Sequence, residues 1–284
     1  MTGAGEALAA AARVLAAAGV ESARADAETL LAHELGASRG RVQALAVSGG
    51  DVDHEVLARF ARLVERRAER EPLQHLTGRA GFRTIDLAVG PGVFVPRPET
   101  EVVAQLAIDA ARGMRFPVVV DLATGSGAIA LAVAAEVPAA AVTGVERNPA
   151  ALAWALRNLA DLALPNARIV EGDLADALPE LDGQVDVVVS NPPYIPDGMI
   201  PRDAEVRLHD PADALFGGPD GLDPMRAVVA TAARLLKPGG FLVVEHGEHQ
   251  GAEVRALLPD PDWEDAATHR DLTDRDRATT GRRR

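Results

Sequence analysis

From Pro117 onward the sequence alternates between short runs rich in β-branched residues and longer stretches with apolar residues at helical spacing. The short runs predict strands at 118–122, 142–146, 167–170, 185–190 and 241–245, and helical patterns separate them at 128–137, 149–162 and 224–236. This alternation is typical of an α/β fold, a doubly wound parallel sheet with helices on both faces. Ligands of such sheets bind beyond the carboxyl ends of the strands, where the strand order reverses. The residues that directly follow each strand are therefore the candidate functional residues.

The chain before this alternation carries a different pattern. Apolar residues recur at helical spacing in 8–15, 27–35 and 56–64, which predicts a small helical bundle. Short alternating runs punctuated by glycines then predict a β-hairpin. We therefore predict three parts: an N-terminal helical bundle domain over 1–75, a hairpin linker over 76–97, and an α/β domain over 98–284.

Charge and composition exclude several classes of function. The chain carries a net charge of −13, and residues 91–284 hold 18 basic and 30 acidic groups, a net charge of −12. A field of this sign repels phosphate backbones, so we expect no stable nucleic-acid binding. The absence of cysteine excludes disulfides, cysteine-ligated zinc and thiol nucleophiles, and is compatible with the cytoplasm. No apolar stretch is long enough to predict a membrane span, and no residue spacing predicts a metal site.

Three predicted strands end in groups that suit a nucleoside. The first strand runs into the glycine-rich turn Asp121-Leu122-Ala123-Thr124-Gly125-Ser126-Gly127. Asp121 can accept hydrogen bonds from a ligand ammonium group, and Glu146 at the next strand end can accept from both hydroxyls of a ribose. Asp173 after the third strand can bind the amino group of an adenine ring, on which Leu174 can pack. The pattern favours a cationic adenosine ligand, although the turn also fits a dinucleotide fingerprint, so a nicotinamide enzyme is an alternative.

The fourth strand end separates these two interpretations. It continues into Asn191-Pro192-Pro193-Tyr194-Ile195-Pro196, where the prolines stop the strand and stiffen the turn. The Asn191 side-chain oxygen and the Pro192 carbonyl can each accept one hydrogen of a planar amino group, which holds that nitrogen in line with a sulfonium methyl group. Tyr194 can stack on the flat substrate. A dehydrogenase has no use for such a loop, so the sequence favours methyl transfer.

Several segments together resemble one family. They are Gln74-His75-Leu76-Thr77-Gly78, Phe94-Val95-Pro96-Arg97-Pro98-Glu99-Thr100-Glu101, the glycine turn, the Asn191–Pro196 element, Glu245-His246-Gly247 and the closing residues 270–284. With these the chain resembles the PrmC/HemK family of S-adenosylmethionine-dependent N5-glutamine methyltransferases, which act on the Gly-Gly-Gln tripeptide of peptide chain release factors. The resemblance covers nearly the whole chain and is weakest in residues 1–70.

The resemblance implies a class I methyltransferase fold, with a substrate-docking N-terminal domain and an S-adenosylmethionine-binding catalytic domain. It implies that the turn Ala123–Gly127 holds the methionine part of the cofactor, that Glu146 holds its ribose, and that Asp173 and Leu174 hold its adenine. It further implies that Asn191 meets both cofactor and substrate, and that Asn191–Tyr194 grip the glutamine amide of a class 1 release factor. Two positions depart from the family pattern. Ala123 replaces a glycine, and its methyl group is expected to fit if φ is negative there; Leu174 stands where some members have an aromatic residue.

Two other functions remain open from the sequence. The Asn-Pro-Pro-Tyr element also occurs in adenine-N6 methyltransferases of nucleic acids, which must hold an extruded base and its backbone in a positive groove. The net charge of residues 91–284 and the lack of an evident basic recognition domain argue against that function. A non-catalytic cofactor-binding module is disfavoured because the Asn191–Tyr194 element is complete.

Overall fold

The computed structural model describes residues 2–284 and divides into two compact units. One unit comprises the chain up to Arg79 together with Pro201–His209, and the other comprises Ala80–Ile200 with Asp210–Arg284. Nothing in the sequence pattern indicates that residues 201–209 group with the N-terminal helices. The boundaries 75/76 and 97/98 and the roles of the three parts stay predictions.

Both units contain strands as well as α-helices. The strands are β1 (Thr2–Gly3), β2 (Asp51–Val52), β3 (Arg79–Phe82), β4 (Ile85–Ala88), β5 (Val118–Leu122), β6 (Ala141–Glu146), β7 (Ala167–Glu171), β8 (Val185–Ser190), β9 (Leu236–Glu245), β10 (Trp263–Arg270) and β11 (Asp276–Arg283). The α-helices are α1 (Ala4–Ala17), α2 (Ala23–Leu35), α3 (Arg39–Val47), α4 (His54–Ala68), α5 (Leu73–Thr77), α6 (Thr100–Arg112), α7 (Ala128–Glu136), α8 (Pro149–Leu162), α9 (Ala204–His209), α10 (Asp223–Leu235) and α11 (Gly251–Ala256).

The N-terminal unit is built on helices α1 to α4, which share one apolar core. Leu8, Leu15, Leu30 and Leu31 are fully buried, as their helical spacing predicts. Helix α4 begins at a proper cap, because the Asp53 side chain accepts a hydrogen bond from the next-but-one backbone amide at 2.8 Å. The unit also contains the short helix α9, which comes from much later in the chain.

A buried charge cluster ties α9 into this unit. The Arg67 guanidinium donates to Asp26 at 2.8 Å and to Glu205 at 2.6 Å, and these three side chains are each no more than 9% exposed. Arg70 donates to the second oxygen of Glu205, also at 2.6 Å. Burial opposes ionisation, but these hydrogen bonds hold the pKa of Glu205 well below its usual range.

The second unit is built around a seven-stranded sheet of order β10-β11-β9-β8-β5-β6-β7. Strands β9, β8, β5, β6 and β7 are parallel, whereas β11 pairs antiparallel with β9 and β10 pairs antiparallel with β11. Helices cover both faces with two apolar cores, which explains why the central strands are mostly apolar on both faces. The predicted doubly wound α/β fold with a helical N-terminal part and a β3–β4 hairpin is confirmed.

The strand order reverses at the centre of the sheet. From β5 the chain moves outward through β6 and β7, and it then returns to form β8 on the other side of β5. The ends of β5 and β8 are aligned in register, with Leu122 opposite Ser190. The Ser190 hydroxyl donates to the Leu122 carbonyl at 2.6 Å, so the two chains leave the sheet side by side. This is the position at which a doubly wound sheet binds its ligand.

The sequence pattern missed the antiparallel edge of the sheet. Strand β10 reads Trp-Glu-Asp-Ala-Ala-Thr-His-Arg and lacks the apolar alternation of a half-buried strand. Strand β9 begins at Leu236. The sequence pattern predicted a start at residue 241, because Lys-Pro-Gly-Gly within the strand is typical of a turn. Within residues 2–284, no helix has both the length and the apolar character that crossing a bilayer requires.

Candidate active site

The glycine-rich turn after β5 is bonded to the neighbouring strand β6. The Thr124 amide donates to the Val145 carbonyl at 2.9 Å, and the Gly125 amide donates to a carboxylate oxygen of Glu146 at 2.9 Å. Gly125 has φ +58° and Gly127 has φ +85°, conformations that glycine adopts without strain. The turn therefore keeps a fixed shape and leads into α7, with Ser126 and Gly127 both buried.

Ala123 is the position at which the sequence expectation needs correction. The methyl group was expected to fit with a negative φ, but φ at Ala123 is +59°. An L-residue in this left-handed region is strained by about 1–2 kcal/mol, because Cβ approaches the neighbouring carbonyl oxygen. The alanine side chain nevertheless packs partly against the apolar core below it. Ala123 is thus accommodated in the conformation that a glycine would adopt there.

Asp121 lies at the end of β5, directly below the turn, and is fully buried. Its Oδ2 accepts hydrogen bonds from the Thr124 hydroxyl at 2.5 Å and from the Ala130 amide at 3.0 Å. Among the residues that the structure describes, Oδ1 has no hydrogen-bond partner. Burial raises the pKa of Asp121 to about 7, and its two hydrogen bonds only partly oppose this shift. Asp121 therefore holds the turn and keeps one carboxyl oxygen available.

Glu146, at the end of β6, is 7% exposed and fixed at both carboxylate oxygens. One oxygen accepts from Gly125, and the other accepts from the Asn148 amide at 2.8 Å. Each oxygen retains a second lone pair, so the carboxylate can still accept from a pair of ribose hydroxyls. The backbone bonds orient Glu146 before any ligand binds.

A cavity of about 250 Å³ lies beside the end of β7. Its lining includes Arg147, Asp173, Leu174 and Pro193. The Asp173 carboxylate accepts from the Ala175 amide at 2.9 Å and from Arg147 at 3.2 Å, and these contacts lower its pKa. Leu174 is 8% exposed and offers an apolar wall. The cavity thus combines a carboxylate acceptor with apolar walls, a chemistry that suits a purine ring.

The corner Asn191–Tyr194 follows β8 at the centre of the sheet. Pro192 and Pro193 are buried, and Asn191 is partly exposed. The Asn191 side-chain nitrogen donates to the Thr100 hydroxyl oxygen at 3.3 Å. The Tyr194 carbonyl accepts from the Gln250 side chain at 3.0 Å, and the Ile195 amide donates to the Leu215 carbonyl at 2.9 Å. Hydrogen bonds therefore hold the loop at Asn191, Tyr194 and Ile195, on both sides of its two prolines.

Tyr194 is anchored by a residue that the sequence reasoning did not select. Its hydroxyl donates to a carboxyl oxygen of Glu245, at the end of β9, over 3.3 Å. Glu245 is 2% exposed, and burial raises its pKa to about 7, against the lowering influence of the Thr100 hydroxyl and Arg277. Burial also raises the pKa of the Tyr194 hydroxyl. Glu245 follows the same strand-end rule as the other acids, so that rule, applied to the fifth strand, could have found it.

Asn158 on α8 is a second structural residue that the sequence did not reveal. It is 1% exposed, and its side-chain nitrogen donates to the Ser126 carbonyl at 2.9 Å and to the Ala88 carbonyl at 3.0 Å. Its oxygen accepts from the Ala88 amide at 2.7 Å. Asn158 thus fastens the glycine turn to the hairpin strand β4.

Comparison with known proteins identifies the family. A model described as the PrmC N-terminal domain matches residues 6–78, and one described as the methyltransferase small domain matches residues 84–214. The release factor glutamine methyltransferase of Streptomyces coelicolor is 51% identical over 276 residues, which is 95% of this chain and 94% of that protein. The chain belongs to the release factor glutamine methyltransferase family. The resemblance seen in the sequence is confirmed.

Two further proteins are similar to this chain in sequence or in fold. The 4-amino-L-phenylalanine/4-methylamino-L-phenylalanine methyltransferase of Streptomyces pristinaespiralis is 45% identical over 247 residues, which is 84% of this chain and 80% of that protein. The 16S rRNA methyltransferase RsmC of T. thermophilus, solved with AdoMet and guanosine, shares the fold with a TM-score of 0.53 at 23% identity, over 72% of this chain and 50% of that one.

This release factor glutamine methyltransferase family member is an enzyme whose methyl donor is S-adenosylmethionine. The residues present fit that donor. Asp121 has a buried carboxyl oxygen without a partner among the described residues, Glu146 is pre-oriented, and a cavity lies against Asp173 and Leu174. The individual roles of these residues and of Asn191–Tyr194 stay predictions. The structure places all of them at the carboxyl ends of the parallel strands of one sheet.

Proposed function

We propose that this enzyme transfers a methyl group from S-adenosylmethionine to the side-chain amide nitrogen, N5, of the glutamine in the Gly-Gly-Gln motif of class 1 peptide chain release factors. The observation that carries the proposal is the Asn191–Pro193 corner at the strand-order reversal, beside the cavity lined by Asp173 and Leu174. The proposal places the enzyme in the cytoplasm, where translation termination occurs. Family membership over nearly the full chain supports the substrate class.

The corner offers acceptors to a nitrogen that is a poor nucleophile. The lone pair of a carboxamide nitrogen is delocalised into its carbonyl group. The Asn191 side-chain oxygen and the Pro192 carbonyl each accept one hydrogen of that amide, which orients the nitrogen and favours its pyramidal geometry. When bound, S-adenosylmethionine would supply an electrophilic methyl group on a sulfonium, and as the C–N bond forms the S–CH₃ bond would break, the sulfur would leave as a neutral thioether and the nitrogen would release one proton. Fixed dipoles that stabilise developing charge in this way accelerate a reaction on the order of 10²–10³-fold per group.

The cofactor-binding residues act by position alone. The glycine turn Ala123–Gly127 holds the methionine part, Glu146 binds the ribose hydroxyls, and Asp173 with Leu174 binds the adenine. Asp121 supports the turn from below through the Thr124 hydroxyl and the Ala130 amide. Because these contacts are formed by the end residues of adjacent strands, the proposal has the methyl donor and the substrate amide meet beyond the carboxyl ends of β5 and β8.

The substrate is tested by mass spectrometry of a purified release factor incubated with enzyme and S-adenosylmethionine. We expect a mass gain of one methyl group, confined to the peptide that contains the Gly-Gly-Gln glutamine. N191A should lower kcat on the order of 10²–10³-fold with little change in cofactor affinity. Parallel reactions contain a duplex and a single-stranded oligonucleotide, and 4-amino-L-phenylalanine. Methylation of one of these, with the release factor unmodified, would refute the proposed substrate.

The docking role of the N-terminal helical domain is part of this proposal. A Gly-Gly-Gln loop offers few contacts beyond its glutamine, so recognition of a whole factor requires further surface. The acidic charge of residues 91–284 also suits a basic protein partner. We expect kcat/KM to be far higher for the intact release factor than for a short peptide with the same tripeptide. Equal values for the two substrates would contradict docking outside the catalytic corner.

A further inference from the structure

The orientation of the Asn191 side-chain amide is central to the proposed reaction. An asparagine amide has an acceptor oxygen at one end and a donor NH₂ at the other. If the donor end faced the substrate NH₂, two donors would oppose each other and neither would find an acceptor. The reaction therefore requires a residue that fixes which end of Asn191 faces the substrate.

Thr100 provides such a contact. Its hydroxyl oxygen accepts a hydrogen bond from the Asn191 nitrogen at 3.3 Å, which commits the donor end of the amide and leaves the oxygen free. Thr100 is 4% exposed and is the first residue of α6, whose turns pack against β8 and β9. It is therefore a buried group on a regular helix, and its position does not depend on a flexible loop.

The polarity of the Thr100 hydroxyl is fixed in turn by Glu245. The Thr100 hydroxyl lowers the pKa of the buried Glu245 carboxyl, as a hydroxyl that turns its hydrogen toward a carboxylate does, and the Tyr194 hydroxyl donates to the same carboxyl at 3.3 Å. The Asn191 nitrogen therefore donates to the Thr100 oxygen, and the Thr100 hydroxyl turns its own hydrogen toward the carboxyl. A reversed Thr100 would turn its hydrogen toward the Asn191 amide and would lose the carboxyl as its acceptor.

We propose, resting on the function proposed above, that Thr100 is a positioning residue that presents the Asn191 side-chain oxygen to the substrate amide. Its contribution is directional: it holds the donor end of Asn191 and makes no contact with the reacting atoms. In metal sites, groups that orient a ligand change activity on the order of 10–100-fold when removed, and we expect an effect of similar size here. We expect the effect on the methyl-transfer step, because the contact with Thr100 decides which end of Asn191 faces the substrate amide.

The test compares two substitutions of similar size. T100V replaces the hydroxyl by a methyl group and keeps the β-branched shape, whereas T100S keeps the hydroxyl and removes the methyl group. We expect T100V to lower kcat on the order of 10-fold or more with S-adenosylmethionine affinity unchanged by calorimetry, and T100S to retain most of the wild-type kcat. T143V is the matched control, because Thr143 is a buried threonine on β6 whose hydroxyl accepts from Arg168. Circular dichroism and thermal unfolding establish that each variant is folded.

A double substitution separates positioning from a general structural effect. If Thr100 acts through Asn191, T100V should change kcat by less than about twofold in an N191A background. A T100V loss of the same size in both backgrounds, or wild-type kcat in T100V, would overturn the inference. A wild-type enzyme that leaves the release factor unmethylated would instead refute the proposed function, so the two failures are distinguishable. The measurement is the rate of glutamine methylation on the intact factor.

Discussion

The buried carboxyl of Asp121 predicts an unusual dependence of stability on pH. Its pKa is raised from 3.8 to about 7 in the folded protein, because burial disfavours the charged form. Between these values the folded state binds more protons than the unfolded state, so the free energy of unfolding falls as pH rises from about 4 to about 7. Three pH units correspond to about 4 kcal/mol at 1.36 kcal/mol per unit. D121N cannot ionise and lacks this contribution, so the difference in stability between variant and wild type should change by about 2–3 kcal/mol between pH 5 and pH 8.

The assay is urea denaturation at pH 5, 6, 7 and 8 and constant ionic strength, followed by tryptophan fluorescence. Both tryptophans, Trp154 and Trp263, belong to the unit that contains Asp121, so the signal reports on that unit alone. D161N is the matched control, because Asp161 is 64% exposed on α8. The free energy of unfolding should change with pH in the same way for D161N and for wild type. For D121N it should fall less between pH 5 and pH 8, so that this variant gains stability relative to wild type as the pH rises. Parallel curves for D121N and wild type would refute the argument from burial.

Three further substitutions test the contacts around the two units. E146A should raise the Kd for S-adenosylmethionine on the order of 10–100-fold, measured by calorimetry, since a charged acceptor of several hydrogen bonds is lost; an unchanged Kd would place the ribose elsewhere. N158A should lower the free energy of unfolding by about 2–3 kcal/mol in urea denaturation, because the buried Ser126 carbonyl and both part-buried backbone groups of Ala88 lose their partner; a loss below about 1 kcal/mol would contradict this interpretation. R67L should destabilise the N-terminal unit by about 3–5 kcal/mol, because Asp26 and Glu205 remain buried without their shared cation. Unfolding followed by circular dichroism measures this loss, and an unchanged helical signal and unfolding midpoint would show that the cluster contributes nothing.

The sequence predicted the strand ends of the candidate active site well because their determinants are local. A parallel strand buried on both faces is mostly apolar, so its extent can be read from the sequence. Asp121, Glu146 and Asn191 each lie within one residue of the end of such a strand, and the topology of a doubly wound sheet then brings strand ends together without further information. The strands Val118–Leu122 and Val185–Ser190 were accordingly predicted with their observed bounds.

The contacts that support these strand ends could not be predicted in the same way. Thr100, Asn158 and Glu245 bond to partners 91, 70 and 51 positions away along the chain. The surroundings of Thr100 and Asn158 are those of an ordinary helix start and a helix interior, which indicate no particular function. Glu245 ends a predicted strand, so its position could be predicted, but its partner could not. The φ of Ala123 is likewise imposed by the path of the turn, since alanine itself favours a negative φ.

The grouping of Pro201–His209 with the N-terminal helices changes how substrate docking must be studied. Deleting the chain up to Arg79 would remove Arg67 and Arg70 and leave Glu205 without its cations, in a segment that follows the Asn191–Tyr194 corner by ten residues or so. Loss of activity on such a deletion would therefore combine a damaged segment with a lost docking surface. Exposed side chains of the intact unit are the sound probes, because replacing them leaves the buried charge cluster in place. Only a change in KM for the intact factor, with the rate on a short peptide preserved, would then assign docking to this unit.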